Sequence, residues 1–270
     1  MVELRFKAGE QSFDWWLTCG RKVKQERRDL AKTLAERFGF EYLPRRERPL
    51  EELLQLSHER TVLVMEGEEL YALTRGTRYA FHPNMARLRI ANLRRGAPDK
   101  LIEALKLEPG GSVLDATMGL GGEAIVCSSV AGPTGHIVAI EQVPEIAFVN
   151  AWGLQTFVAQ LPALNEAMPR VEVWCGNHLD WLPQVEKDAF EAVYFDPFFD
   201  RGLKGSEPLE PLRALAGEGG FRVEALTEAR RVASRLVVVK FRKGSELADL
   251  PYDEIIGGKG SKVAYGVFTS

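Results

Sequence analysis

Two short stretches of this chain hold residue types that could do chemistry together. The first is "SVLDATMGLGGEAI", in which an apolar run ends at Asp115 and passes through Thr117, Gly119, Gly121, Gly122 and Glu123 into a helix-like segment. The second is "AVYFDPFFDRG", in which another apolar run ends at Asp196-Pro197-Phe198-Phe199. A strand, a glycine turn and a helix together bring backbone close to a nucleotide-like cofactor, because glycine has no Cβ to hold the ligand off. Gly119 to Ala124 also satisfies the G-x-G-x-x-A pattern of dinucleotide sites, and a plain tight turn would use the same residues. Asp115 weighs between these readings. A carboxylate just before the first glycine would repel a pyrophosphate seated on the helix N-terminus, and it would attract an ammonium group. S-adenosylmethionine (SAM) has no phosphate and carries an ammonium on its methionine end, so the acid favours that cofactor.

Further candidates lie at the ends of the neighbouring apolar runs. Glu141 closes "HIVAIE" and can accept hydrogen bonds from both ribose hydroxyls, with Gln142 beside it. Such an acid serves dinucleotide and SAM sites alike. Asn177 and His178 in "WCGNHLDWL" are placed to meet an adenine edge, although a single histidine is as readily a surface or core residue. In open α/β sheets ligands sit beyond the carboxyl ends of the strands, so Asp196-Pro197-Phe198-Phe199 is expected to face the same crevice as the glycine loop. A base amine is a poor nucleophile because its lone pair is delocalised into the ring. The Asp196 carboxylate and the Pro197 carbonyl can accept its two N–H bonds, while Phe199 can stack on the base. Asp196, Pro197 and Phe199 are therefore the candidate catalytic residues. The alternative is a strand-end turn with two core phenylalanines.

The elements that must position these residues follow from the rhythm of the chain. "SVLDA", "HIVAIE", "VEVWCG", "EAVYFD" and "RLVVVKF" are five apolar runs separated by helix-length segments, the pattern of a parallel sheet covered by helices on both faces. The closing "YDEIIGGKGSKVAYGVFTS" reads as a terminal hairpin, which predicts seven strands with the last antiparallel, over residues 96–270. This α/β, Rossmann-like order resembles class I SAM-dependent methyltransferases. Residues 1–95 read as a small α+β domain: a strand in "SFDWWLTC", a helix from Val23 to Phe38, a hairpin of "TVLVME" and "LYAL", a strand in "TRYAFHP", and a basic helix "NMARLRIANLRR" capped by Asn84.

Composition narrows the class. A chain of 270 residues, 45% hydrophobic and 27% charged, is expected to be globular, and its net charge of −3 gives no general nucleic-acid signal. Contacts to a polyanion must come from local clusters. Arg87, Arg89, Arg94 and Arg95 form one, Arg201 and Lys204 a second, and Lys240, Arg242 and Lys243 a third. Of these, Arg87, Arg94, Arg95, Arg201, Lys204 and Lys240 are the expected phosphate contacts, against the alternative of solvated charged faces. No apolar run approaches the roughly 20 residues of a membrane helix, and the opening "MVELRFKAGEQSF" lacks a leader pattern, so a cytoplasmic protein is expected. Cys19, Cys127 and Cys175 lie far apart, so no metal site is expected.

One family gathers these features. "LDATMGLGGEAIV", "EQVP", "WGL", "VYFDPFF", Lys204, Ser206, "PLRAL" and "EARRVASRLVVVKF" occur in order between Arg95 and Phe241. Together they resemble the bacterial small-subunit ribosomal RNA methyltransferase J family, which methylates N2 of a guanosine in 16S rRNA. Thr117 replaces the first glycine of more general loops, and the family's Asp-Pro-Met-Phe is Asp-Pro-Phe-Phe here. The resemblance implies SAM held by Gly122-Glu123, Glu141-Gln142, the Asn177 region and Asp196. It implies ribosomal RNA or the small ribosomal subunit as partner, with the target nucleotide unpaired or flipped. Two rivals stand beside this reading: a methyltransferase for a protein or small molecule, and a protein that binds SAM and RNA without catalysis. Intact Asp196 and Phe199 argue against the latter.

Overall fold

The computed structural model describes residues 3–9, 12–46, 48–57, 60–74, 77–197, 222–258 and 260–270. In chain order, the first part forms β1 (Phe6–Lys7), β2 (Trp16–Cys19), α1 (Gln25–Phe38), β3 (Glu41–Tyr42), α2 (Leu50–Leu56), β4 (Val62–Glu66), β5 (Glu69–Thr74), β6 (Thr77–Ala80) and α3 (Ala86–Leu93). A five-stranded sheet runs β3-β2-β4-β5-β6. The expected hairpin is β4 and β5, paired antiparallel from Val62↔Leu73 to Glu66↔Glu69 and turned by Gly67 at φ +59°. Helix α1 buries Ala31, Leu34 and Ala35, one side of the helix, and ends at Gly39 in the left-handed conformation that glycine adopts without a Cβ clash. The expected Asn84 cap is not formed. Asn84 lies at φ +44° and its Nδ2 donates to the His82 carbonyl (2.8 Å), so α3 starts after Met85 without a side-chain cap.

The second part contains α4 (Lys100–Leu105), β7 (Ser112–Asp115), α5 (Gly122–Ala131), β8 (His136–Glu141), α6 (Pro144–Thr156), α7 (Pro162–Ala167), β9 (Glu172–Cys175), α8 (His178–Trp181), β10 (Phe190–Phe195), α9 (Ala225–Val232), β11 (Ala233–Arg242), β12 (Glu254–Ile256) and β13 (Val263–Thr269). The five apolar runs form β7 to β11, all parallel, and β13 lies antiparallel between β11 and β12. These are the seven strands read from the sequence. An eighth joins them: β1 pairs parallel with β9 (Phe6↔Val173, Lys7↔Trp174), giving the order β1-β9-β8-β7-β10-β11-β13-β12. A strand of two residues has no readable period, which is why the alternation did not reveal it.

Helix α6 explains how the two sheets meet. Nine consecutive residues, Ile146 to Leu154, are buried. A helix that is apolar all round must be covered all round. Here α6 packs on β8 and β9 of the large sheet and on β5 and β6 of the small one. One apolar cluster therefore runs from Leu17, Leu63 and Ala72 through Phe148 and Trp152 to Ala139 and Val173. Polar contacts pin the same junction: Thr61 Oγ1 donates to Glu145 Oε1 (2.7 Å) and Trp152 Nε1 donates to the Glu68 carbonyl (3.3 Å). Gly153 is required by close approach, since a Cβ there would lie 2.1 Å from Phe81 Cγ. Gly→Ala in an open helix stabilises by about 1 kcal/mol. Gly153→Ala is expected to destabilise instead, by about 1–3 kcal/mol of overpacking. Denaturant unfolding checks the sign, and a raised midpoint would mean that α6 is not clamped by the small sheet.

Candidate cofactor and active site

Strand β7 ends at Asp115, and the loop beyond it is strung across its neighbours. Ala116 N–H donates to the Tyr194 carbonyl and Met118 N–H to the Ile140 carbonyl, both at 2.8 Å. The loop then turns through Gly119 (φ +53°) and Gly121 (φ +78°), conformations that disfavour any side chain, and a Cβ at Gly121 would also meet Met118 Cε at 2.9 Å. Gly122 opens α5, and a Cβ there would meet nothing within 4 Å among the described residues. The backbone at Gly122 therefore faces open space among those residues, in front of the loop.

Four carboxyl groups converge on this crevice. Asp115 is 2% exposed; its Oδ1 accepts from Thr117 N–H (3.1 Å), while its buried Oδ2 has no partner among the described residues. Burial pushes its pKa well above the usual carboxylate range, and Glu123, Asp196 and Glu141 push in the same direction. Glu141 is also buried; its Oε1 accepts from Val143 N–H (2.8 Å) and its Oε2 from Gly119 N–H (2.9 Å). Burial raises it to about 7 against the pull of these backbone donors. A buried carboxylate with an orphan oxygen costs free energy that a cationic ligand offsets. Asp115 Oδ2 fits the ammonium of SAM, and Gly122 leaves room for its body.

Asp196 follows β10, and its backbone N–H donates to Thr117 Oγ1 at 2.6 Å. This bond explains the threonine: its hydroxyl ties the glycine loop to the end of β10. Asp196 Oδ2 accepts from Lys240 Nζ at 2.6 Å. Burial raises the Asp196 pKa to about 6, with the Lys240 cation opposing. Burial disfavours the Lys240 charge too, but Asp196 and Glu123 outweigh it and hold the ammonium protonated. The network continues outward. Glu123 Oε1 lies 3.8 Å from Lys240 Nζ and accepts from Arg89 Nη1 at 3.0 Å. Arg89 is bidentate to Asp99 (2.8 and 2.9 Å), and Asp99 Oδ1 caps α4 through Leu101 N–H (3.0 Å).

The placement of the other expected residues is mixed. Lys240, expected as a phosphate contact, is turned into the site by its pairing with Asp196. Asn177 Oδ1 caps α8 through Leu179 N–H (2.9 Å), and its Nδ2 lies 3.5 Å from Gln142 Oε1. His178 meets Phe195 edge to face at 5.5 Å, and its buried Nε2 has no partner among the described residues. Burial lowers its pKa, so the ring is neutral at pH 7. Pro197 is buried behind Asp196. Arg87, Arg94 and Arg95 are exposed, beside the exposed side chains of Met85 and Leu88. Phe199, Arg201 and Lys204 lie outside the described residues. Sequence reasoning missed Arg89 as a site-facing residue, and it missed Asn150 and Tyr79. Asn150 was signalled only as a lone amide within the apolar stretch "EIAFVNAWGL".

Comparison with known proteins agrees with this geometry. A family model described as "Putative SAM-dependent methyltransferase" matches residues 44–264. YpiP of Bacillus subtilis, an uncharacterized protein, is 33% identical over 211 residues, 78% of this chain and 82% of its own length. The ribosomal RNA small subunit methyltransferase J of Dechloromonas aromatica is 30% identical over 174 residues, 62% of this chain and 69% of its own. The protein of that name from Thioalkalivibrio sulfidiphilus is 32% identical over 133 residues, 48% of this chain and about half (51%) of its own. In fold, the chain is similar to the crystal structure of the SAM-dependent methyltransferase NGO1261 from Neisseria gonorrhoeae. The TM-score is 0.63 at 22% identity, over 94% of this chain and 95% of that one. With a family model matched over residues 44–264 and a glycine loop at the carboxyl end of β7, the chain belongs to the SAM-dependent methyltransferases, and S-adenosylmethionine is its cofactor.

Proposed function

We propose that this methyltransferase modifies an exocyclic base amine in ribosomal RNA, with N2 of a guanine as the target. One observation carries the reading: Asp196 is fixed by Thr117 at its N–H and by Lys240 at Oδ2, which leaves Oδ1 without a partner among the described residues. A carboxylate held in this way can accept an amine N–H and direct the nitrogen lone pair at a methyl group. Pro197 supplies a second acceptor in its carbonyl, and Phe199 is proposed to stack on the base. Bound SAM supplies a methyl group on a sulfonium, itself a strong leaving group, so no strong base is needed. Asp115 would hold the ammonium, Glu141 with Gln142 the ribose, and the Asn177-His178 turn the adenine, with Thr117, Gly119, Gly121, Gly122 and Glu123 shaping the seat. The names of the relatives from D. aromatica and T. sulfidiphilus support ribosomal RNA as the substrate class.

Asp196→Ala is expected to lower single-turnover methyl transfer to under-methylated small-subunit rRNA by about a hundredfold or more, the scale of a misplaced reacting atom. Asp196→Asn retains part of the rate, because an amide oxygen still accepts one N–H. Mass spectrometry of the product nucleosides identifies the base. N2-methylguanosine is expected, and methyl recovered on protein or a small molecule would favour the rival substrate.

The pH dependence follows from the pairing. Asp196 acts as an acceptor when ionised, and its pKa is raised to about 6. The methyl-transfer rate at saturating substrates is therefore expected to be full well above pH 6 and to fall as pH drops through about 6. Lys240→Met removes the cation that favours the ionised form, so the acid limb of the profile should move to higher pH. A limb unmoved by Lys240→Met would show that the limiting group is not Asp196.

Arg87, Arg94 and Arg95 are proposed to contact phosphate. Each alanine variant is expected to weaken RNA binding and to reduce its log–log salt slope by about 1, with SAM affinity unchanged. Filter binding across a salt series checks this, and equal RNA affinity in all three variants would make α3 a solvated face.

A further inference from the structure

The small N-terminal sheet reaches the cofactor loop through two buried side chains. Tyr79, on β6, is 3% exposed, and its hydroxyl donates to Asn150 Oδ1 at 2.6 Å. Asn150, on α6, is 0% exposed, and its Nδ2 donates to the Gly119 carbonyl at 2.8 Å. The N–H of the same glycine donates to Glu141 Oε2 at 2.9 Å. Both backbone polar groups of Gly119 are thus tied by buried side chains, at a residue whose φ of +53° offers no side chain to anchor the turn.

The direction of these bonds is forced. A carbonyl can only accept, so the amide must present its NH₂ to Gly119 and its oxygen to Tyr79, and Tyr79 must donate. Burial, with Glu141 nearby, holds the phenol protonated, so it remains a donor. Neither residue lies at the mouth of the crevice, and neither is needed to close the apolar cluster, since a phenylalanine and a leucine would fill the same space. What they supply is a polar connection that a core alone does not require, and it ends on the backbone of the turn that Glu141 grips from the other side.

We infer that Tyr79 and Asn150 are positioning residues for SAM: through them the N-terminal sheet fixes the Gly119 turn, and with it the orientation of the Glu141 carboxylate and the affinity for the cofactor. The inference rests on reading the loop from Asp115 to Glu123 as the seat of SAM. The two residues act in series: removing the Asn150 amide releases the Gly119 carbonyl, and removing the Tyr79 hydroxyl frees the amide that holds it.

The test is titration calorimetry of the full chain with SAM and with S-adenosylhomocysteine, well below the unfolding temperature of every variant. Tyr79→Phe deletes one oxygen. Asn150→Asp keeps the shape but, when ionised, cannot donate to Gly119. Each is expected to weaken SAM about tenfold, the scale of one hydrogen bond in a buried site, and to raise KM for SAM while leaving kcat at saturating SAM within about threefold. The double variant should bind about as the weaker single one does, because coupled neighbours are not additive. Glu141→Ala reports on the seat independently: unchanged SAM binding in that variant would overturn the loop reading, and this inference with it. If Glu141→Ala weakens SAM while Tyr79→Phe and Asn150→Asp bind it within twofold of wild type, the link is purely structural and the inference fails alone, whatever the unfolding temperatures do. Where Asn150→Asp does not fold, Tyr79→Phe decides the question by itself.

Discussion

Three carboxyl groups at the carboxyl ends of parallel strands, with Glu123 in the first turn of α5 beside them, are held wholly or largely out of bulk water, and the rest of the site is arranged around that cost. Moving a carboxylate from water into a protein interior is unfavourable unless hydrogen bonds or opposite charges compensate it. The four are compensated in three ways. Glu141 uses the backbone, taking N–H groups from Gly119 and Val143. Asp196 uses a cation, Lys240, and Glu123 uses Arg89. Asp115 is compensated on one oxygen only, the other having no partner among the described residues. The protein thus neutralises the carboxylates that must stay in place and leaves incomplete the one that a cationic ligand can complete. The same division disfavours a dinucleotide, whose phosphates would add negative charge beside these carboxylates.

The compensation has to be delivered from several elements, and this explains the packing. Lys240 comes from β11, one strand over from β10, where the register Phe195↔Val239 puts the next residue on each strand side by side. Arg89 comes from α3, which precedes β7 and the strands after it in sequence, and it is held in line by Asp99 at the start of α4. The Gly119 turn is braced from α6 and β6. Helix α6 is accordingly buried on all sides, because it transmits contacts from one sheet to the other. The small sheet is therefore continuous with the large one through a shared apolar cluster.

This pattern also decides what could be read from the sequence. Asp115, Glu141 and Asp196 were legible because each ends an apolar run, and strand ends in a parallel sheet converge. The glycines were legible as punctuation. Register between strands was not legible, so Lys240 read as one more cation near the cleft instead of the partner of Asp196. Tyr79 and Asn150 are separated by 71 residues, and no periodicity connects them. Arg89 was hidden among its basic neighbours, since composition cannot say which side of a helix an arginine occupies. The two-residue β1 carries no alternation, and Asn84 offered a capping residue type without the backbone angle that capping requires.

Helix α3 shows how these two kinds of arginine coexist. Successive helical residues turn by about 100°, so positions seven apart share a face and positions two apart do not. Arg87 and Arg94 are seven apart, and both are exposed. Arg89 points the other way, into Asp99 and Glu123. The helix that would meet phosphate under the proposed reading is therefore the one that holds Glu123, and Glu123 lies against Lys240 beside the proposed amine acceptor. A chain of net charge −3 does not need a basic surface overall to bind RNA in this arrangement. It needs a few free cations on one side of one helix, with the inward arginine on the other side keeping that helix in fixed relation to the carboxylates. Binding and chemistry then share a rigid part, which is the condition for a target base to arrive where the methyl group can be transferred.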